Sequence, residues 1–489
     1  MRLGALVTAL ALSACAARAE REARTTTAPE ASTPAPALAS ASPAPRAKAQ
    51  TDADLVVAEA LTLVARVREL PAKKPVPGLR MQRPELRVEV ERLLIDETPR
   101  EALAGNAELL FALDTVPADF DLEKTISVLY AAELAGFYDP KEHHMVLATD
   151  LGRDAETLTL YHELVHALQD QHFDLGKSLT FHPEQSDVLG ALHALAEGDA
   201  TSAMMDIFAA ARGVPAKDIP SEALRLNAIV LQASPDLAQV PGVIARSMIA
   251  PYADGLDFVR YLRQHRGGFA GVNQAFEKPP LSTEQVLHPE KYLANEAVEA
   301  LPAPAAPPGF SEGAFRDVMG EQGLRLLFED WAPESDASSA ASDWGGDRIA
   351  VFAEGDKRVV LWHLVFDTEV AARRALTLFA RGALRPELPG RPGAVGASGG
   401  SGAAATAGGP GKGADVRLRP FIPRREADAA LQGGRLCRLR AERGAFAVVR
   451  HGRHIGVTLG PYLRGATVVR AGDTCPQALA WAERVANQR

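Results

Sequence analysis

Cysteine is scarce in this sequence, with three residues in 489, at positions 15, 437 and 475. Three cysteines cannot build the disulfide framework of a small secreted scaffold or a four-thiolate zinc site. Positive charge is also in short supply, because 53 Lys and Arg face 62 Asp and Glu, a net charge of -9. This balance predicts no nucleic-acid partner, since nucleic-acid binding needs a basic face. With 47% hydrophobic residues, the remaining class is an ordinary globular protein.

Long apolar runs are absent as well, and none approaches the roughly 20 residues of a membrane-spanning helix. Residues 1–14 combine one early Arg, a short apolar run and closing small residues, which is the order of a secretory signal peptide. Their junction with Cys15, Leu-Ser-Ala-Cys, resembles the bacterial lipobox, and this resemblance implies cleavage before Cys15 and a lipid on it. The alternative is a plain signal peptide followed by an incidental cysteine. We therefore expect an exported protein, anchored by lipid to the bacterial cell envelope, in the periplasm or at the outer-membrane surface.

The rest of the chain divides by composition into a tether and two domains. Residues 15–50 are rich in Ala, Thr, Pro and Ser, which predicts a disordered, lipid-tethered linker. Residues 51–305 have mostly helical periodicity, with one short hairpin at 135–148. Residues 309–489 predict a smaller antiparallel α+β domain, interrupted by a disordered Gly/Ala/Pro-rich insertion at 386–415. The expected fold class is therefore α+β.

Periodicity and turn residues also place the individual elements. Two further hairpins are predicted in the second domain, at 347–366 and at 445–460. In an exported protein Cys437 and Cys475 predict a disulfide, with two buried free thiols as the alternative. Helices are predicted at about 52–68, 83–105, 154–172, 185–212, 220–232, 254–266, 283–293, 368–381 and 474–487.

The helix at 154–172 contains His162, Glu163 and His166 in the pattern H-E-x-x-H. Residues i and i+4 lie on one helix face, so both imidazoles can reach the same ion. In zinc hydrolases with this spacing, the Glu acts as general base on a zinc-activated water. The alternative is a buried helix with two hydrogen-bonded histidines. The pattern predicts a zinc cofactor.

Two residues compete for the third zinc ligand. His172 has the spacing of the metzincin motif H-E-x-x-H-x-x-G-x-x-H, but that motif needs Gly where this chain has Gln169. Glutamine favours continuing the helix, which would turn His172 away from His166. Glu197 lies in a polar cluster within an otherwise apolar helix, where a carboxylate is costly unless it is paired or metal-bound. Glu197 is the preferred third ligand.

Four segments in this order resemble a group of bacterial secreted or lipid-anchored proteins with a gluzincin-like metallopeptidase core. The likeness covers about 130–295 and extends more weakly to DWGGDRIAVF at 343–352. The four segments are GFYDP (136–140), YHELVHALQDQHFDL (161–175), ALAEGDA (194–200) and STEQVLHPEKYL (282–293).

The resemblance implies a zincin-like core with His162, His166 and Glu197 as zinc ligands and Glu163 as general base. Thermolysin-like enzymes place an Asp four residues after the ligand Glu, but this chain has Thr201 there. The residues that support the ligands therefore stay open. The candidates are Asp170 and Asp199 as partners of the ligands, and Tyr138, His288 and Tyr292 as donors to a developing oxyanion.

These observations predict a zinc metallopeptidase of the cell envelope that acts on a peptide or protein substrate. The alternative from a different class is a non-catalytic, zinc-containing binding or envelope-assembly lipoprotein. A zinc hydrolase acting on a non-peptide bond is a third option. Glu163 argues against the binding lipoprotein, because a purely structural zinc site needs no base and prefers a fourth protein ligand.

Overall fold

The structure, a computed structural model, describes residues 44–488 except 98, 134, 151, 217–218, 222–239, 389–418 and 464–473. The predicted signal peptide with Cys15, the helix expected at 220–232 and nearly all of the insertion at 386–415 lie outside the described residues. The rest confirms an α+β protein with a helical part and an antiparallel sheet part.

The helical part contains eleven described helices and a small sheet. The strands are β1 (Gly78–Met81), β2 (Gly136–Asp139) and β3 (His144–Ala148). The helices are α1 (Ala44–Arg68), α2 (Arg83–Glu97), α3 (Arg100–Ala112), α4 (Leu122–Glu133), α5 (Arg153–Phe173), α6 (Leu175–Ser178), α7 (Ser186–Ala211), α8 (Gly242–His265), α9 (Phe269–Glu277), α10 (Thr283–Leu287) and α11 (Pro289–Ala294).

Four helix predictions differ from the structure. The helix expected at 83–105 is two helices, α2 and α3, with Pro99 between them. α1 begins at Ala44, inside the tether predicted for 15–50, because Pro45 is tolerated in a first turn, where no N–H is needed, and good helix formers follow it. α8 begins at Gly242 and continues through Pro251, whereas a start near 254 was predicted. The helix expected at 283–293 is two short helices, since Pro289 disfavours helical backbone in the residue before it.

The small sheet has the order β1–β3–β2. β3 runs antiparallel to β2, as the predicted hairpin requires, and Tyr138 lies opposite Met145. β1 was not predicted; it is four residues long and runs parallel to β3. The hairpin packs on α5, the helix that carries H-E-x-x-H.

The backbones of α7 and α8 touch where Gly198 meets Gly255. A Cβ placed on Gly198 would lie 2.1 Å from the carbonyl of Gly255, and one on Gly255 would lie 1.9 Å from the carbonyl oxygen of Ala194. Only residues without a side chain allow this approach. It sets how closely the turn of α7 that carries Glu197 packs against α8.

The sheet part is built on one six-stranded antiparallel sheet in the order β4–β5–β6–β9–β8–β7. Its strands are β4 (Ser311–Asp317), β5 (Trp344–Glu354), β6 (Lys357–Phe366), β7 (Arg435–Arg440), β8 (Gly444–His451) and β9 (His454–Leu463). Its helices are α12 (Gly320–Phe328), α13 (Glu334–Ala341), α14 (Glu369–Leu384), α15 (Arg424–Ala430) and α16 (Cys475–Ala486).

Both predicted hairpins of this part are present, as β5–β6 and β8–β9. Helices cover both faces of the sheet, with Phe379 of α14 in the core on one face and Trp481 of α16 on the other. A disulfide joins Cys437 of β7 to Cys475 at the start of α16. No described helix has both the length and the apolar character needed to cross a bilayer.

The end of α3 packs into the core of the sheet part, although its sequence position assigns it to the helical part. Phe111 belongs to that core. Arg443, itself buried, donates to the carbonyl of Phe111 at 2.9 Å, and Arg440 donates to that of Ala112 at 2.6 Å. The two guanidinium groups thus donate to carbonyls of the last turn of α3, and the carbonyl of Phe111 also accepts from the amide of Asp114 at 3.0 Å. This contact joins the two parts.

The close approach of α7 and α8 predicts that Gly198→Ala destabilises the fold. The new methyl group would overlap the backbone of α8, so we expect the free energy of unfolding to fall by about 1–3 kcal/mol. This loss should occur although Ala favours a helix over Gly by about 1 kcal/mol. Denaturant unfolding of the purified protein measures it.

Gly190→Ala in the same helix is the matched control. There a Cβ would meet only the Cγ2 of Thr283, at 3.3 Å. We expect a change smaller than about 1 kcal/mol, because helix propensity compensates for the mild contact. Equal destabilisation by both variants would mean that the Gly198–Gly255 contact is not the constraint.

Candidate metal centre

The structure brings the three predicted ligands together. The Nε2 atoms of His162 and His166 lie 3.1 Å and 3.3 Å from Oε2 of Glu197, and 2.9 Å from each other. α5 supplies the two imidazoles and α7 the carboxylate, and all three side chains are buried. A grouping of donors from two helices, 31 residues apart along the chain, has thus formed in the core.

The donors fit a zinc ion by chemistry and by spacing. Two imidazole nitrogens and one carboxylate oxygen are a donor set found at catalytic zinc sites. Two ligand atoms that lie about 2.1 Å from a tetrahedral ion are about 3.4 Å apart. The three separations seen here approach that value. His162, His166 and Glu197 would therefore hold the metal.

The hydrogen bonds of Gln169 place a hydrogen on Nδ1 of His166. The amide nitrogen of Gln169 donates to Asp199 Oδ2 at 2.8 Å and to the carbonyl of Ala196 at 3.0 Å. Its amide oxygen therefore faces Nδ1 of His166, at 2.8 Å. Nδ1 must donate this bond, which leaves Nε2 to face the cluster. A histidine that binds metal through Nε2 needs this arrangement.

Asp170 does not support His166 as the sequence-based interpretation expected. It accepts hydrogen bonds from the hydroxyl of Tyr138 at 3.1 Å and from the amide of Gly176 at 2.9 Å. Gln169 makes the contact with His166 instead, because consecutive residues of a helix point about 100° apart. Gln169 therefore faces α7, while Asp170 faces β2.

Glu163 lies beside the cluster and is not part of it. The backbone amide of Tyr138 donates to its Oε2 at 3.1 Å, which fixes the carboxylate. The other oxygen, Oε1, is buried without a hydrogen-bond partner in the part of the chain that the structure describes. In the metal-free protein burial raises the pKa of Glu163 to about 8, and a cation bound at the cluster would lower it because the opposite charge favours the carboxylate.

The remaining charges favour a cation between the imidazoles. Burial lowers the pKa of His162 to about 4. Burial also lowers the pKa of His166, but the carboxylate of Glu197 outweighs this effect and raises it to about 9. Burial raises the pKa of Glu197, yet the neighbouring His166 and hydrogen bonds from the histidines keep it well below its ordinary value. The field thus stabilises one positive charge that a metal ion would replace.

None of the three oxyanion candidates has a free donor aimed at the cluster in its described contacts. The Tyr138 hydroxyl is held by Asp170 and lies 3.2 Å from Nδ1 of His143. The Tyr292 hydroxyl donates to the carbonyl of Lys278, and His288 contacts Glu321 at 2.9 Å.

Other histidines also have defined places. His172 lies at the end of α5, with Nε2 2.7 Å from the carbonyl of Pro71, and makes no described contact with the cluster. His193 reaches Oε1 of Glu197 at 3.1 Å. Its i, i+4 spacing from Glu197 was the sequence signal for a shared helix face, but it was interpreted as simple packing. Tyr252 of α8, whose ring lies 6.1 Å from that of His162, has no such signal.

A second cluster of carboxylates is paired with a lysine. Glu284, Glu296 and Asp367 lie close enough together to hold a metal. The Lys291 ammonium is 2.7 Å from an oxygen of each. These three ion pairs explain the group without a metal.

Comparison with known proteins yields one match. Residues 310–386, which run from the residue before β4 to just past the end of α14, match a family model described as a domain of unknown function (DUF8575). No curated protein matches the chain, and no solved structure does. The matched segment is outside the helices that carry His162, His166 and Glu197.

The cluster predicts that the protein binds one zinc ion per chain and that His166→Ala abolishes this binding, because one of three ligands is lost. His172→Ala is the matched control, since it removes an imidazole from the same helix outside the cluster. It should retain one zinc. Metal analysis after dialysis against a weak chelator measures both. Equal zinc content in the two variants would contradict the assignment.

Proposed function

We propose that the protein is a zinc-dependent peptidase with a gluzincin-like core. The observation that carries this proposal is the position of Glu163. It shares a helix with two ligands, stays outside the ligand set, and has one oxygen fixed while the other is free to accept a proton. A general base of a zinc hydrolase needs this combination.

In this proposal His162, His166 and Glu197 hold the metal, which, when bound, polarises the scissile carbonyl and makes water nucleophilic near neutral pH. Glu163 Oε1 accepts a proton from the attacking water and delivers it to the leaving amine. The amide of Tyr138 keeps the carboxylate oriented during both transfers. Gln169 keeps the hydrogen of His166 on Nδ1.

An extended peptide is the substrate that the surroundings of Glu163 support best. β2 lies at one edge of the small sheet and contacts Glu163 through Tyr138. The edge of a sheet can accept a peptide as an added strand, with main-chain hydrogen bonds providing much of the affinity. A peptide added alongside β2 would lie next to the Glu163 carboxylate.

The ligand count favours the peptidase over a zinc-containing binding protein. Structural zinc sites almost always use four protein ligands, whereas catalytic sites use three and keep one position open. The described donors form a group of three. His193 contacts the far oxygen of Glu197 and does not complete the group.

Glu163→Gln should retain zinc and lose nearly all peptide cleavage. The amide cannot take up a proton at neutral pH, and positioned proton transfer contributes about 10²–10⁴-fold. We therefore expect turnover to fall at least about a hundredfold, measured on a peptide library together with zinc content.

Glu156→Gln is the control for the loss of a carboxylate on α5. Glu156 pairs with Arg80 near the surface, where an ion pair contributes about 1 kcal/mol or less, so turnover should be unchanged. Wild-type cleavage by Glu163→Gln would refute the general-base role. Full zinc occupancy with no cleavage by the wild type would favour the binding lipoprotein.

We also propose that the protein is anchored to the cell envelope through a lipid on Cys15. The support is the Leu-Ser-Ala-Cys sequence at the end of the apolar run. Cys15→Ser should abolish acylation and move the protein from the membrane fraction to the soluble fraction, as mass spectrometry and fractionation would show. Ser13→Ala, which keeps the thiol, should remain acylated. An unmodified N-terminus that begins elsewhere in the wild type would contradict this proposal.

A further inference from the structure

The last residue of α1, Arg68, is a fully buried cation. Its Nε lies 2.6 Å from Oδ1 of Asp199, which is equally buried. An unpaired charge in such a place is strongly destabilising, so each group requires the other. Helix α1 therefore inserts its final side chain beneath the turn of α7 that follows Glu197.

This ion pair continues directly into the support of the metal cluster. The second oxygen of Asp199 accepts the amide hydrogen of Gln169, and the amide oxygen of Gln169 faces Nδ1 of His166. Asp199 can hold Gln169 in this orientation as long as Arg68 compensates its charge. An unbroken line of polar contacts thus connects Arg68 to His166.

Helix α9 anchors Arg68 from the opposite side. Nη2 of Arg68 donates to Oδ1 of Asn273 at 2.7 Å, and the guanidinium lies 4.5 Å from the centre of the Phe269 ring. The guanidinium of Arg263 lies 4.1 Å from the centre of the same ring. Arg263 pairs with Asp206 at 2.7 Å and has no described contact with Asp199.

We propose that Arg68 is a positioning residue for His166, and that the docking of α1 through Arg68 sets the affinity of the cluster for zinc. This inference rests on the proposed zinc site. It assigns a role in metal retention to the helix that begins in the last residues of the predicted tether.

The test is the zinc affinity of Arg68→Met, measured by competition with a chromogenic chelator. Loss of a residue that orients a ligand typically weakens metal binding 10–100-fold, and we expect a loss in that range. Arg68→Lys keeps a cation beside Asp199 and should stay within a few-fold of the wild type. Hydrogen exchange at Nδ1 of His166, followed by NMR, should be faster in Arg68→Met.

Arg263→Met is the matched control, because it removes a guanidinium from the same Phe269 ring. It breaks the ion pair with Asp206, which is not among the contacts that connect Arg68 to His166. Its zinc affinity should match the wild type even where thermal stability falls. If Arg68→Met does not fold, Asn273→Ala is tested instead. This variant removes one hydrogen bond of Arg68 but keeps its ion pair with Asp199. Its zinc affinity should fall several-fold.

Unchanged zinc affinity in folded Arg68→Met, or an equal loss in Arg263→Met, would overturn the inference. So would unchanged affinity in Asn273→Ala if that variant has to be used. A wild type that binds no zinc would refute the proposed function. The hydrogen-exchange comparison in metal-free protein would then still test whether Arg68 holds His166.

Discussion

The structure of the helical part depends on one buried carboxylate, that of Glu197. A carboxylate without solvent is strongly destabilising unless cations or hydrogen-bond donors surround it. Here the surrounding groups are three imidazoles, from His162, His166 and His193. To place His162 and His166 beside it, α5 and α7 must cross with these faces together. The close approach of α7 to α8 at Gly198 fixes the packing of the same turn of α7. The helix packing and the polar cluster therefore require each other.

The polar groups around this carboxylate have different roles, and their contacts distinguish these roles. Gln169 bridges His166 and Asp199, and Asp199 is ion-paired with Arg68, so these groups hold the ligands in place. Glu163 is different, because one of its oxygens is fixed and the other has no described partner. A buried acceptor without a partner costs about 1–3 kcal/mol. An enzyme that needs a proton acceptor at this position has a reason to retain that cost; a structural zinc site does not.

The sheet part supports the helix that carries Glu197. At the start of α7, Ser186 donates through its amide to Asp317 of β4 at 3.2 Å. Asp187 accepts a hydrogen bond from the amide of Thr283 at 3.1 Å, and Thr283 in turn accepts one from the amide of Gln322 in α12. Both Asp317 and Gln322 lie in the segment that matches the family of unknown function. That segment therefore fixes the first turn of α7, although it contributes no ligand.

The sequence by itself determined the elements whose signals are local. The i, i+4 spacing of His162 and His166, the isolated Glu197 in an apolar helix, and the turn residues of the three hairpins all predicted structure that is present. Only the tertiary structure decided what depends on contacts between distant segments. Gln169 instead of Asp170 supports His166 because α7 lies on that side of α5. Arg68 reaches Asp199 from a helix 131 residues away in the chain. Side-chain periodicity shows which face of a helix is buried, but it does not show which helix covers that face, and these contacts depend on that choice.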